Sequence, residues 1–218
     1  MARYSRYGAR ALLVHAAIVL AAIFSAPARA AGPLIWALGD SLTAGYGLPP
    51  ADGFTTQLEA ALRRAGVPAT VRNGGISGDT SAQGRARLLW GLRGLAAKPD
   101  LVIVELGAND MLRGLPPERA AANLDAILAE LQRRRIPTLV AGMKAPPNIG
   151  PAYRNAFDGM YPRLAAARGA RLYPFFLDGV AGNPRLIQGD GLHPNKRGVA
   201  IVVARMLPAV KAALAASR

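Results

Sequence analysis

Cysteine is absent from the 218 residues of this chain, and that omission removes disulfides, thiolate zinc sites and a cysteine nucleophile together. Oxygen nucleophiles and oxygen-ligated metals are what remain. Histidine is nearly as scarce, with only His15 and His193. His15 lies in the N-terminal segment, so any imidazole-dependent step in the body of the protein has His193 alone to use. Acidic residues are few as well, 13 against 27 lysines and arginines, for a formal net charge of +14.

Residues 1–30 read as a secretory signal: arginines at 3, 6 and 10, an apolar run over 11–24, and Ala28-Arg29-Ala30 as a small-x-small cleavage site. The run is shorter than the roughly 20 residues of a spanning helix. Export to a bacterial periplasm or exterior is expected, with residues 31–218 as a single domain. Setting the leader aside leaves 23 basic residues against 13 acidic ones, a net +10. Such a charge draws anionic partners, and transient contact with a membrane surface fits it; an arginine-rich composition without a partner fits it too. Nucleic acid is not expected, because basic and aromatic residues do not interleave into a stacking platform and Arg133-Arg134-Arg135 ends a helix, where cations complement the dipole.

The organising stretch is the apolar run 34–38, which stops at Gly39-Asp40-Ser41-Leu42. It reads as a buried parallel strand that delivers a serine hydroxyl to the sheet's C-terminal edge. Further strands are expected at 69–71, 101–106, 138–142 and 171–176. Between them, residues 43–53 read as loop. Phe54, Leu58, Ala61, Leu62 and Ala65 mark one helix, and a helix boxed by Thr80 and Gln83 is expected to end near Ala97. Pro116 and Pro117 open a helix with Leu124, Ile127, Leu128 and Leu131 on its buried stripe. A helix carrying Tyr153, Phe157, Met160 and Leu164 is expected to bend at Pro162, and a terminal helix over 195–215 to kink or break at Pro208. Strands alternating with helices require right-handed crossovers, hence an α/β fold: a three-layer α/β/α sandwich around a five-stranded parallel sheet.

Chemistry-bearing residues follow the strand ends in order: Ser41, Gly78, Asn109, then Asp190 with His193. Each has a plain structural role open to it, as a helix cap, a turn glycine or a left-handed position. Together, on loops that converge on one rim, they form an acyl-transfer constellation. Ser41 is the nucleophile and His193 its base; Asp190, three residues earlier across a turn at Gly191, fixes the imidazole tautomer. The oxyanion is assigned to the backbone amides of Ser41 and Gly78 and the side-chain amide of Asn109. Substrate is expected against the mostly apolar loops with Met111, Leu112, Arg113, Pro146 and Pro147. Two alternatives compete: Ser77 in an imperfect nucleophile elbow, where Asp79 replaces the required glycine, and Asp40, Asp79 and Asp110 converging on magnesium. Neither is preferred, and no metal or cofactor is expected.

Those blocks, Gly39-Asp40-Ser41-Leu42, Gly78 in Ser-Gly-Asp-Thr, Gly107-Ala-Asn109-Asp and Asp190-Gly-Leu-His193, resemble the four blocks of the SGNH or GDSL-type hydrolases. Their small secreted bacterial branch of lysophospholipase-like arylesterases and thioesterases is the most similar. The resemblance implies a flavodoxin-like sandwich, the catalytic roles assigned above, and carboxylic esters or thioesters, lipids among them, as substrates. A carbohydrate O-deacetylase on the same scaffold and a non-catalytic binder of anionic lipid are the rival readings.

Overall fold

The computed structural model describes residues 32–216; the expected leader lies outside them. Five strands, β1 (Leu34–Gly39), β2 (Thr70–Gly75), β3 (Leu101–Glu105), β4 (Thr138–Ala141) and β5 (Arg171–Tyr173), form one parallel sheet in the order β2-β1-β3-β4-β5. Every residue of β3 is buried, as a central strand covered on both faces requires. Helices α1 (Ser41–Ala44), α2 (Phe54–Arg64), α3 (Ser81–Arg93), α4 (Ala108–Leu112), α5 (Pro117–Arg133), α6 (Pro151–Arg168) and α7 (Lys196–Ala215) connect or follow them. Helix α2 packs on α7, while α5 packs on both α3 and α6. These two sets cover opposite faces of the sheet, giving the three-layer sandwich.

The buried positions on α2 (Phe54, Leu58, Ala61, Leu62) and α5 (Leu124, Ile127, Leu128, Leu131) repeat at helical spacing, and each large apolar side chain so buried contributes about 1.5–3 kcal/mol. From β1 the chain steps outward to β2, then returns to the other side of β1 for β3. That reversal opens a crevice at the C-terminal ends of β1 and β3, where Gly39 and Glu105 sit opposite each other in register.

Local differences from the sequence expectations have physical reasons. Strand β2 runs past 71 through Asn73-Gly74-Gly75, because glycine is what the neighbouring ring permits: a Cβ at Gly74 would stand 2.2 Å from Trp36 Nε1. Its outer edge is tied off by side chains, Val71 N–H donating to Glu59 Oε2 (2.9 Å) and Gly75 N–H to Asn73 Oδ1 (2.8 Å). The expected loop over 43–53 begins with helix α1, capped by Asp40, whose side chain accepts from Leu42 N–H. Helix α3 stops at Arg93, where the Gly94 N–H folds back onto the carbonyls of Trp90 and Gly91. Strand β5 ends at Tyr173 ahead of Pro174, which has no N–H for the ladder. Helices α6 and α7 continue through Pro162 and Pro208. In α7 both Pro208 and Ala204 are exposed, so the carbonyl that the proline leaves unpaired faces water, while Val202, Val203, Met206 and Val210 hold the opposite face in the core.

Candidate active site

Asp40 and Ser41 stand where β1 enters α1. The sharp turn depends on Gly39, at which a Cβ would lie 2.0 Å from Thr43 Oγ1. Ser41 Oγ lies 2.8 Å from His193 Nε2 across 152 residues of chain, and His193 Nδ1 lies 2.6 Å from Asp190 Oδ2. Asp190 Oδ1 accepts the backbone N–H groups of Leu192 (2.9 Å) and His193 (3.0 Å) around Gly191, which adopts φ +75°. Those backbone bonds, followed by the bond to the imidazole, hold the Asp190 carboxyl down at about 2, so the group is an anion throughout the neutral range. Gln188 fastens this loop to the one after α1, donating to the carbonyls of Tyr46 (2.8 Å) and Pro194 (3.0 Å). The Tyr46 ring in turn lies 4.7 Å from the imidazole.

The residues whose N–H groups are assigned to the oxyanion line the same cavity as Ser41. Gly78 adopts φ +86°, and Gly107, which caps α4, adopts φ +117°; both are conformations that glycine takes without strain. Asn109 on α4 is held by its amide nitrogen, which donates to Asp40 Oδ2 (3.1 Å) and to the Asp79 carbonyl (3.0 Å). Both of its N–H groups therefore have a protein acceptor, and an incoming oxyanion would share one of them. The loops are braced from behind: Arg87 links Asp79 Oδ2 (2.5 Å) to the Gly39 carbonyl (2.8 Å), and Asp110 receives both the N–H (2.7 Å) and the hydroxyl (2.6 Å) of Ser81. Asp40, Asp79 and Asp110 are thus each occupied by protein donors rather than gathered on a shared cation site. Ser77 lines the cavity, but the imidazole nitrogen that could activate it is bonded to Ser41.

The cavity encloses about 410 Å³. Of the residues expected to meet substrate, Met111, Leu112 and Pro146 line the cavity. Pro147 does not: it starts a short exposed turn. Arg113 also lies off the wall and crosses the rim to donate to the Gly78 carbonyl (2.7 Å). Met143, Phe175, Leu177 and Ile187 complete the apolar wall, with Lys144 at its margin. Those four apolar residues went unrecognised in sequence although Met143 and Phe175 follow β4 and β5, the same position after a strand end that marks the other candidate residues.

Sequence reading also missed Glu105, the last residue of β3. It is fully buried beneath the turn that carries Ser41, as is Asp40, and its Oε2 accepts the Thr43 hydroxyl (2.8 Å). Burial raises the Asp40 carboxyl to about 6, against the pull of the Leu42 N–H, the imidazole and the Asn109 amide. Burial and the adjacent Asp40 charge push Glu105 well above the ordinary carboxylate range. The available signal was a lone carboxylate in an otherwise apolar central strand.

Residues 37–201 match the profile of the GDSL-like Lipase/Acylhydrolase family. An arylesterase of Vibrio mimicus is 41% identical over 177 residues, covering 81% of this chain and 87% of its own. The thioesterase 1/protease 1/lysophospholipase L1 of Escherichia coli K12 is 38% identical over 167 residues, 77% of this chain and 78% of its own. The crystal structure of AlinE4, an SGNH-hydrolase family esterase, superposes with a TM-score of 0.72 at 51% identity, over 84% of this chain and 97% of that one.

Proposed function

Because the chain belongs to the GDSL-like lipase/acylhydrolase family, an SGNH family of ester and thioester hydrolases, we propose that it cleaves acyl esters, and thioesters with them, through an acyl-enzyme on Ser41. The observation that carries this reading is the unbroken relay from Ser41 Oγ to His193 (2.8 Å) to Asp190 (2.6 Å). As the hydroxyl oxygen attacks the substrate carbonyl carbon, His193 Nε2 takes its proton and the Asp190 carboxylate stabilises the resulting imidazolium. The carbonyl oxygen, now an anion, is received by the N–H groups of Ser41 and Gly78 and the Asn109 amide. Collapse expels the alcohol or thiol, protonated by the imidazolium. Water, deprotonated by the same imidazole, then releases the acid and restores Ser41.

The apolar wall of Met143, Phe175, Leu177 and Ile187 suits an acyl chain or an aromatic ring better than a sugar, which needs a lining of hydrogen-bonding groups. That favours acyl-chain and aryl esters over a carbohydrate O-deacetylase role. Ser41→Ala is expected to abolish turnover of a short chromogenic ester, and an activated organophosphonate is expected to transfer its phosphonyl group to Ser41, with loss of the leaving group, in the wild type only. Undiminished hydrolysis by the alanine variant would overturn the assignment. Salt-sensitive lipid binding without turnover in the wild type would instead favour a binding protein.

A further inference from the structure

Two carboxyl groups, Asp40 and Glu105, lie side by side beneath the turn that carries Ser41, close enough for each to act on the other. Asp40 and Glu105 are both fully buried, and among the described residues neither takes part in an ion pair. The charged and titratable groups around them are committed elsewhere. Arg87 serves Asp79 and the Gly39 carbonyl, and His193 serves Asp190 and Ser41. Tyr161 donates to the Leu106 carbonyl (3.1 Å), and Asp110 holds Ser81. Two bare carboxylates in such a place would cost several kcal/mol each in lost hydration and repel each other besides.

Their hydrogen bonds are unequal. Asp40 accepts at both oxygens, from Leu42 N–H (3.0 Å) and from the Asn109 amide (3.1 Å). Glu105 accepts the Thr43 hydroxyl at Oε2 and lies near the backbone N–H groups of Asp40 and Thr43, while its Oε1 is buried and, among the described residues, receives no hydrogen bond. An orphaned buried oxygen of this kind is costly as an acceptor and satisfied as a donor, provided an acceptor adjoins it. The adjoining group is Asp40, whose oxygens each keep a second lone pair.

We infer that Glu105 is held as the neutral acid and that its Oε1 hydroxyl donates to the Asp40 carboxylate, making Glu105 a positioning residue for the catalytic turn. One proton shared between the two groups leaves a single negative charge on the pair. That charge sits on Asp40, where it fixes Leu42 N–H at the start of α1 and the Asn109 amide beside the oxyanion position. Glu105 touches neither substrate nor reacting atoms. The upward displacement of both carboxyls, driven first by burial, runs in the direction a shared proton requires. The catalytic consequence rests on Ser41 being the nucleophile; the protonation of Glu105 does not.

The deciding measurement is the infrared difference spectrum between the wild type and Glu105→Gln at neutral pH. A protonated carboxylic acid has a carbonyl stretch well separated from that of a carboxylate, and one such band is expected to vanish in the variant. Loss of a carboxylate band instead would overturn the inference, whether or not the protein turns over any ester. Kinetics test the positioning role. Glu105→Gln, which can still donate to Asp40 and accept from Thr43, should keep kcat within about threefold, whereas Glu105→Leu, of similar volume without a donor, should lose about ten- to a hundredfold in kcat at unchanged KM. Equal rates in the two variants would overturn the role. Should the leucine variant fail to fold, the spectrum of the glutamine variant still decides.

Discussion

The carboxylate of Asp40 and the side-chain amide of Asn109 meet at 3.1 Å although 69 residues separate them in sequence. Each comes from the end of a different central strand, so the contact exists only because β1 and β3 are neighbours in the sheet. It joins the turn that carries Ser41 to the helix that carries Asn109, the proposed oxyanion donor.

Removing that donor should therefore act on the rate rather than on binding. Asn109→Ala is expected to lower kcat by about a hundred- to a thousandfold with little change in KM, the cost of one lost oxyanion contact. Steady-state kinetics on a soluble ester check this; a rise in KM at constant kcat would place Asn109 in substrate binding.

Asp190 holds the imidazole from one oxygen and the loop backbone from the other. An asparagine there can keep the backbone bonds through its carbonyl, but it presents N–H to His193 Nδ1 and so selects the tautomer with its proton on the wrong nitrogen. Asp190→Asn is expected to lose on the order of 10⁴ in kcat with an unchanged melting temperature. A loss below tenfold would count against the relay.

The buried Asp40 carboxyl carries a pH signature. Its folded-state value near 6 lies above the ordinary 3.8, so the fold favours the protonated form. That contribution to stability is complete at low pH and is lost as pH rises from about 4 through 6, a difference of about 3 kcal/mol. Denaturant midpoints measured across this range should decline in the wild type relative to Asp40→Asn, which removes that one ionisation while keeping Glu105. Parallel profiles would show that Asp40 does not titrate there.

Gly107 tests the backbone that carries Asn109. At φ +117°, a Cβ would lie 2.4 Å from the Tyr161 hydroxyl. Gly107→Ala should destabilise the protein by about 1–3 kcal/mol. Adding Tyr161→Phe removes the clash but leaves the backbone angle, so the double variant should be less destabilised than the two single changes together predict. Strict additivity of the melting shifts would contradict the contact.

Most of the architecture was legible because the buried strands are apolar runs ended by glycine turns and the helices repeat their apolar residues at helical spacing. The rim residues were legible for a related reason, each following a strand end. Features settled by tertiary contact were not. The extension of β2 through Gly74 depends on a tryptophan from another strand, and the continuity of α7 through Pro208 depends on which side of the helix faces water. Pro147 was misplaced because the direction of a loop proline is set by the turn it starts, whereas Pro146 next to it does reach the cavity. Glu105 went unread because the single acid in β3 was absorbed into a run recognised for its apolar character.

The tied-off outer margin of β2 has a consequence for the protein's life at high concentration. A strand with open amides invites another chain to lie along it and extend the sheet, but here Glu59 and Asn73 already occupy two of those amides. At the opposite margin β5 offers only three residues. Both ends of the sheet are thus poor templates for further strands, which guards the folded protein against stacking edge to edge into aggregates.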